Sequence, residues 1–103
     1  MATFEFTAEL WVWDARAADT WTFVSLPTDV ADEVLDLAGP YTKGFGSVRA
    51  EVTVGSTTWR TSLFPSKAER TYVLPVKKAV RRAERLTPGD AVEVRIRLVD
   101  LGG

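Results

Sequence analysis

With 103 residues, 46% of them apolar and four Trp and five Phe among them, the chain is sized for one core and one domain, residues 1–103, and is too apolar to stay disordered. It has no His and no Cys, which excludes a Ser-His-Asp triad, a thiolate nucleophile, an imidazole proton shuttle, a disulfide framework and the usual zinc ligand sets. A net charge of -1 supplies no overall field toward nucleic acid or a membrane, and no apolar run approaches the roughly 20 residues of a helical span.

Residues 3–13 alternate: Phe4, Phe6, Ala8, Leu10 and Val12 take one face, and Glu5, Thr7, Glu9, Trp11 and Trp13 the other, which predicts a strand. A second strand is expected over "TWTFVSL", residues 20–26, after the polar connection "DARAAD". "PTDVADEVLDLAGP" carries helix punctuation, with Thr28 or Asp29 as N-cap and Gly39-Pro40 as the stop. Its wheel gathers Val30, Ala31, Val34, Leu35, Leu37 and Ala38 on one side, and Asp29, Asp32, Glu33 and Asp36 on the other.

Residues 47–63 predict a hairpin about Gly55-Ser56, a two-residue turn of the kind that wants Gly first. Its register pairs Val54 with Thr57, Val52 with Trp59, Ala50 with Thr61 and Val48 with Leu63 on one face; the other face pairs Glu51 with Arg60 and Arg49 with Ser62. "TYVLP" is a short strand. Pro75 ends it and opens a helix over 76–86, with Val76, Ala79, Val80, Ala83 and Leu86 on its apolar face. "LTPGD" is a turn centred on Pro88-Gly89, and Val92, Val94, Ile96 and Leu98 alternate with charged residues in a last strand. The order β β α β β β α β implies a mainly β fold, a small antiparallel barrel of about six strands with two short capping α-helices.

The segments "GFGSVRAEVTVGSTTWRTSLFP" and "YVLPVKKAVRRAERLTPGDAVEVRI" resemble the bacterial domain-of-unknown-function family nineteen-oh-five. The resemblance runs from "FEFTAELW" to the last strand and rests on the hairpin opened by Gly44-Phe45-Gly46 and on Leu74-Pro75-Val76-Lys77-Lys78. It implies a pseudobarrel of double-split type, an architecture shared with the AbrB and MazE group of DNA-binding regulators and antidotes. For some longer relatives it also implies a segment associated with bacteriocin protection, which these residues do not include. It carries no catalytic residue list.

Charge is divided along the chain: residues 1–40 hold eight acids against one base, and residues 41–103 twelve bases against six acids. Five of those bases, Lys77, Lys78, Arg81, Arg82 and Arg85, lie within nine positions. They are first of all the solvated face of an amphipathic helix, but like charges at i,i+4 cost the helix a little stability, and so unbalanced a face hints at an anionic partner and a nucleic-acid-binding or anion-binding role. Only Glu84 relieves them.

The sharper expectation is a small anionic or partly aromatic ligand held on one barrel face by Arg49, Trp59, Arg60, Ser62 and Lys77, because apolar walls with a few convergent polar groups describe a ligand site. The remaining rings, Trp11, Trp13, Trp21, Phe23, Phe45 and Phe64, are expected mostly in the core. "GFG" is not followed by a Lys-Ser/Thr pair opening a helix, so a phosphate loop is excluded. No catalytic pair, metal or cofactor is expected. The leading reading is thus a non-catalytic ligand-binding module. A nucleic-acid-binding or regulatory protein using helix 76–86 comes second, and an enzyme of unusual chemistry third. A monomer or homodimer in the cytoplasm is expected, since "MATFEFTAEL" has no signal-peptide pattern.

Overall fold

The computed structural model describes residues 3–13, 21–39 and 46–99. The expected "DARAAD" connection, the stop at Pro40 and the Gly44-Phe45 part of the hairpin entry lie outside these residues. The elements are β1 (Thr3–Glu9), β2 (Trp11–Val12), β3 (Thr22–Ser25), α1 (Thr28–Ala38), β4 (Val48–Val54), β5 (Thr57–Ser66), β6 (Thr71–Val76), α2 (Lys78–Glu84) and β7 (Ala91–Leu98). The strands form one antiparallel sheet in the order β1-β7-β4-β5-β6-β3-β2, a half-barrel of seven strands among the described residues.

The count is seven rather than six because the first strand breaks at Leu10. Leu10 N–H donates to Asp90 O at 2.9 Å and Gly89 N–H donates to Leu10 O at 2.7 Å, whereas Trp13 N–H donates to Trp21 O at 3.0 Å. Backbone groups on alternate residues of a strand point to opposite sides. Even positions up to Leu10 therefore bond toward β7, and odd positions beyond it bond toward β3. One bent stretch serves both ends of the sheet.

The core is aliphatic. Leu10, Val24, Val34, Val52, Leu63, Leu74, Ile96 and Leu98 are each almost wholly buried, and Tyr72 is the buried ring among the described residues. Burial in that apolar site pushes the Tyr72 phenol above its ordinary value. The expectation that the rings fill the barrel is overturned: Trp13 is 69% exposed, Trp21 60% and Phe64 44%.

Helix α1 buries Ala31, Val34 and Ala38, a stripe one residue wide at spacings of three and four. Val30 packs against the core from its edge. Leu35 and Leu37, expected on the same side, remain outside at 55% and 46% exposure. The N-cap is Pro27, with no side-chain cap, and its carbonyl accepts from Ala31 N–H.

The β4–β5 hairpin has the expected register at every pair, from Val48–Leu63 to Val54–Thr57. Gly55 sits at φ 58 while Ser56 keeps an ordinary negative φ, as a II′ turn requires. Strand β6 runs further than expected, through Pro75 and Val76, so the helix spans 78–84 rather than 76–86. Pro75 is tolerated because Leu26 N–H bonds Tyr72 O. The alternation from that bond makes Phe23–Pro75 a non-hydrogen-bonded pair, and the β5 ladder has already ended at Phe64–Val73. In α2 only Val80 is buried. Leu86 packs on the core, while Ala79 and Ala83 are exposed.

Helix α2 ends with Arg85 in the left-handed region at φ 55, and Leu86 N–H closes onto Arg81 O at 2.9 Å. Left-handed backbone costs a non-glycine residue about 1–2 kcal/mol. Arg85→Gly is therefore expected to raise unfolding stability by about 1 kcal/mol in a urea titration, and an unchanged or lower midpoint would contradict it. The following Thr87–Asp90 turn is type II, with Gly89 at φ 97 and Asp90 N–H to Thr87 O at 3.0 Å.

Candidate functional site

Residues on one face of an antiparallel sheet alternate along each strand and line up across it. On the outer face of β2, β3, β6 and β5 this places Trp11 beside Phe23 and Phe23 beside Pro75; one step along, Ser25, Val73 and Phe64 form the next row. Trp13 and Trp21, joined by their backbone bond, extend the face on the other side. Three of the chain's four Trp therefore share one outer surface.

That surface is layered. Trp11 and Phe23 stack with centroids 5.1 Å apart and planes 30° from parallel, and Trp11 Nε1–H donates to Ser25 Oγ at 2.9 Å. Both rings are half-buried, so the stack is a pre-set floor. Val73 is buried although it lies outside the main core: it is covered on the outer side, in the row it shares with Phe64. Trp13, Trp21 and Phe64 project into solvent from this floor. Glu69 approaches the same face, with Ser25 Oγ–H donating to its Oε1 at 3.4 Å.

The basic segment begins where this face ends. One step beyond the Thr22–Val76 pair the register sets Trp21 opposite Lys77, whose backbone is still extended at φ -72 and ψ 159. Lys77, Lys78, Arg82 and Arg85 are exposed and have no ion pair among the described residues; Arg81 is half-buried. Lys77 is the N-cap and Arg85 the C-cap, so the five cations extend beyond the helix at both ends. Glu84 turns to the β4–β5 turn, where it accepts from Thr57 Oγ1–H at 2.6 Å and Ser56 Oγ–H at 3.3 Å. The Thr57 bond is the main reason its carboxyl sits below the ordinary value; burial opposes it, and the bonds from Ser56 add to the lowering.

The expected set of Arg49, Trp59, Arg60, Ser62 and Lys77 is divided by the sheet. Arg49, Arg60 and Ser62 are on the outer face of β4 and β5, while Trp59, opposite Val52, packs against the core from the inner face. Glu51 stands between two arginines, 3.9 Å from Arg60 Nε and 3.1 Å from Arg97 Nη2. Of the set, Lys77 is the residue that adjoins the exposed rings. The outer face of β1, β7 and β4 carries shallow grooves, one of ≈ 520 Å³ lined by Glu5, Thr53, Glu93 and Arg95 among others. It is polar, and Arg95 already pairs with Glu5 across it at 2.7 Å. Among the described residues no group of three carboxylates converges on a metal-sized site.

A family model described as Domain of unknown function (DUF1905) matches residues 6–96. The chain belongs to this family. The match begins in β1 and ends in β7, so the DUF1905 domain takes in both the aromatic face and the basic segment. No curated protein matches the chain.

The aromatic face was readable in the alternation. Trp11 and Trp13 fall opposite Phe4, Phe6, Ala8 and Leu10; Trp21 and Phe23 fall opposite Val24 and Leu26; Phe64 falls opposite Leu63. Ring size alone places these side chains in the core, and the alternation places them outside it.

Proposed function

We propose that this domain is a non-catalytic binding module that takes a ring-bearing anion on the outer face of β2, β3 and β6. The observation that carries the reading is the half-buried Trp11–Phe23 stack flanked by the exposed rings of Trp13 and Trp21, with Lys77 at the edge. A floor of fixed rings costs little conformational entropy on binding, and offset stacking is worth about 0.5–1.5 kcal/mol per pair beyond buried area. Lys77 supplies the charge that selects an anion and can lie over a ring face. The Arg49 and Arg60 face is the weaker candidate, because Glu51 already partners Arg60.

A cytoplasmic location and the double-split form of the half-barrel belong to the same reading, on the Cys-free composition and the family resemblance. The test is tryptophan fluorescence with adenosine monophosphate and with inorganic phosphate as separate probes. The nucleotide is expected to quench, phosphate alone is not, and Trp21→Ala is expected to abolish the response. If no ring-bearing anion quenches, or if phosphate alone does, the reading fails.

A further inference from the structure

We infer that the ligand of this face is single-stranded nucleic acid, with bases stacking on Trp13, Trp21 and Phe64 and the phosphate backbone running onto Lys77 and Lys78. The inference rests on the ring-binding reading above and extends it from one ring to a strand. Three observations carry it.

First, the rings repeat. Same-face positions recur about every 7 Å along a strand and neighbouring strands lie about 5 Å apart. Trp13 and Trp21 meet across β2 and β3, the Trp11–Phe23 stack lies one step further, and Phe64 lies one step beyond that on β5. A single-ring ligand needs one such station; a series of them suits successive bases, each of which has a π-face whatever its sequence.

Second, exposed positive charge adjoins the rings. Lys77 continues β6 and falls opposite Trp21 one register step beyond Thr22–Val76, and Lys78, Arg82 and Arg85 follow it along α2 to its C-cap. Phosphates of a strand that leaves the rings at Trp21 meet this row. Exposed cations without ion pairs among the described residues are available to replace counterions. At the opposite end Glu69 comes to Ser25, in a β5–β6 turn that also carries the exposed Lys67 and Arg70, so cations stand at both ends of the row of rings.

Third, the surface is an outer sheet face with its rings standing out of it, on a chain with net charge -1. A duplex has its base faces stacked internally and would meet only the cations. Of duplex and unpaired strand, it is the unpaired strand that uses rings and cations together. The polymer can be DNA or RNA, because ring faces and phosphates are common to both.

The test is fluorescence titration of the full chain with thymidine monophosphate, with oligothymidylates of about 4, 8 and 12 nucleotides, with the matching oligouridylates, and with random duplex DNA, at low and at about 0.2 M salt. Affinity is expected to rise at least about ten-fold from mononucleotide to the longer strands and to exceed that for duplex. Trp13→Ala and Trp21→Ala are each expected to weaken it by about ten-fold or more, while Trp21→Phe keeps most of it. Lys77→Glu with Lys78→Glu should lower the salt slope by about one to two, with circular dichroism confirming the fold of every variant. Equal affinity for mononucleotide and oligomers would overturn the strand inference and leave the ring-anion reading standing. Tighter binding to duplex than to single strands would overturn it in favour of a cation-only face. Silence toward every probe would remove both.

Discussion

Ile96→Ala is expected to cost about 2–5 kcal/mol of unfolding stability, whereas Trp21→Ala costs less than about 1 kcal/mol. Ile96 is fully buried and sits mid-sheet on β7, paired with Phe4 of β1 on one side and Val52 of β4 on the other. Truncation leaves a cavity walled by three strands that are held in register by their ladders and cannot collapse inward. Domains of this size have about 5–15 kcal/mol in hand, so the loss is a large share, and a thermal midpoint lower by roughly 10 °C or more is expected. Trp21 is a larger side chain, yet 60% exposed, and removing it leaves no interior void. Paired urea melts check both. If Trp21→Ala proved as destabilising as Ile96→Ala, the outer rings would be structural, and a binding role for them would lose its ground.

The contrast also separates what the sequence makes legible from what it does not. The β4–β5 register was readable residue by residue, because a two-residue turn beginning with Gly leaves a single pairing and Glu51–Arg60 agrees with it. The break at Leu10 was not readable. Alternation continues unbroken through Leu10 in the sequence, and only long-range backbone bonds to Gly89 and Asp90 show that the stretch changes partner there. The extent of β6 is hidden in the sequence for a related reason. Pro75 reads as a helix opener by itself, and its tolerance in a strand depends on which neighbour its missing N–H would have faced. At the site, the basic segment is visible as composition, whereas its place beside the rings depends on the β3–β6 register, which joins residues 48 to 54 positions apart. Trp59 and Arg60 are neighbours in sequence but lie on opposite faces of β5. Adjacent residues on a strand face opposite ways, so adjacency on β5 was a reason to separate them.

Gly55→Ala is expected to cost about 1–2 kcal/mol from the backbone alone, since φ 58 is unfavourable for any residue with a Cβ. A further cost follows from the α2 contact. A Cβ built on Gly55 would overlap the Glu84 carboxylate, so the carboxylate is expected to withdraw and to give up its bonds from Thr57 and Ser56. That carboxylate adds a polar tie between α2 and the rim of the sheet to the apolar packing of Val80 and Leu86. Its contribution has a definite pH dependence. Hydrogen bonds hold the folded Glu84 below its ordinary value of 4.5, so its stabilisation is present above that value and is lost as pH falls through the lower folded value. Wild type is thus expected to exceed Glu84→Gln in stability at neutral pH, with the difference shrinking below about pH 4.5. In the Gly55→Ala background the Glu84→Gln change should have little effect at any pH, because the clamp is already open. Additive losses in the double variant, or a Glu84→Gln cost that does not vary with pH, would show that the helix is held to the sheet by Val80 and Leu86 alone.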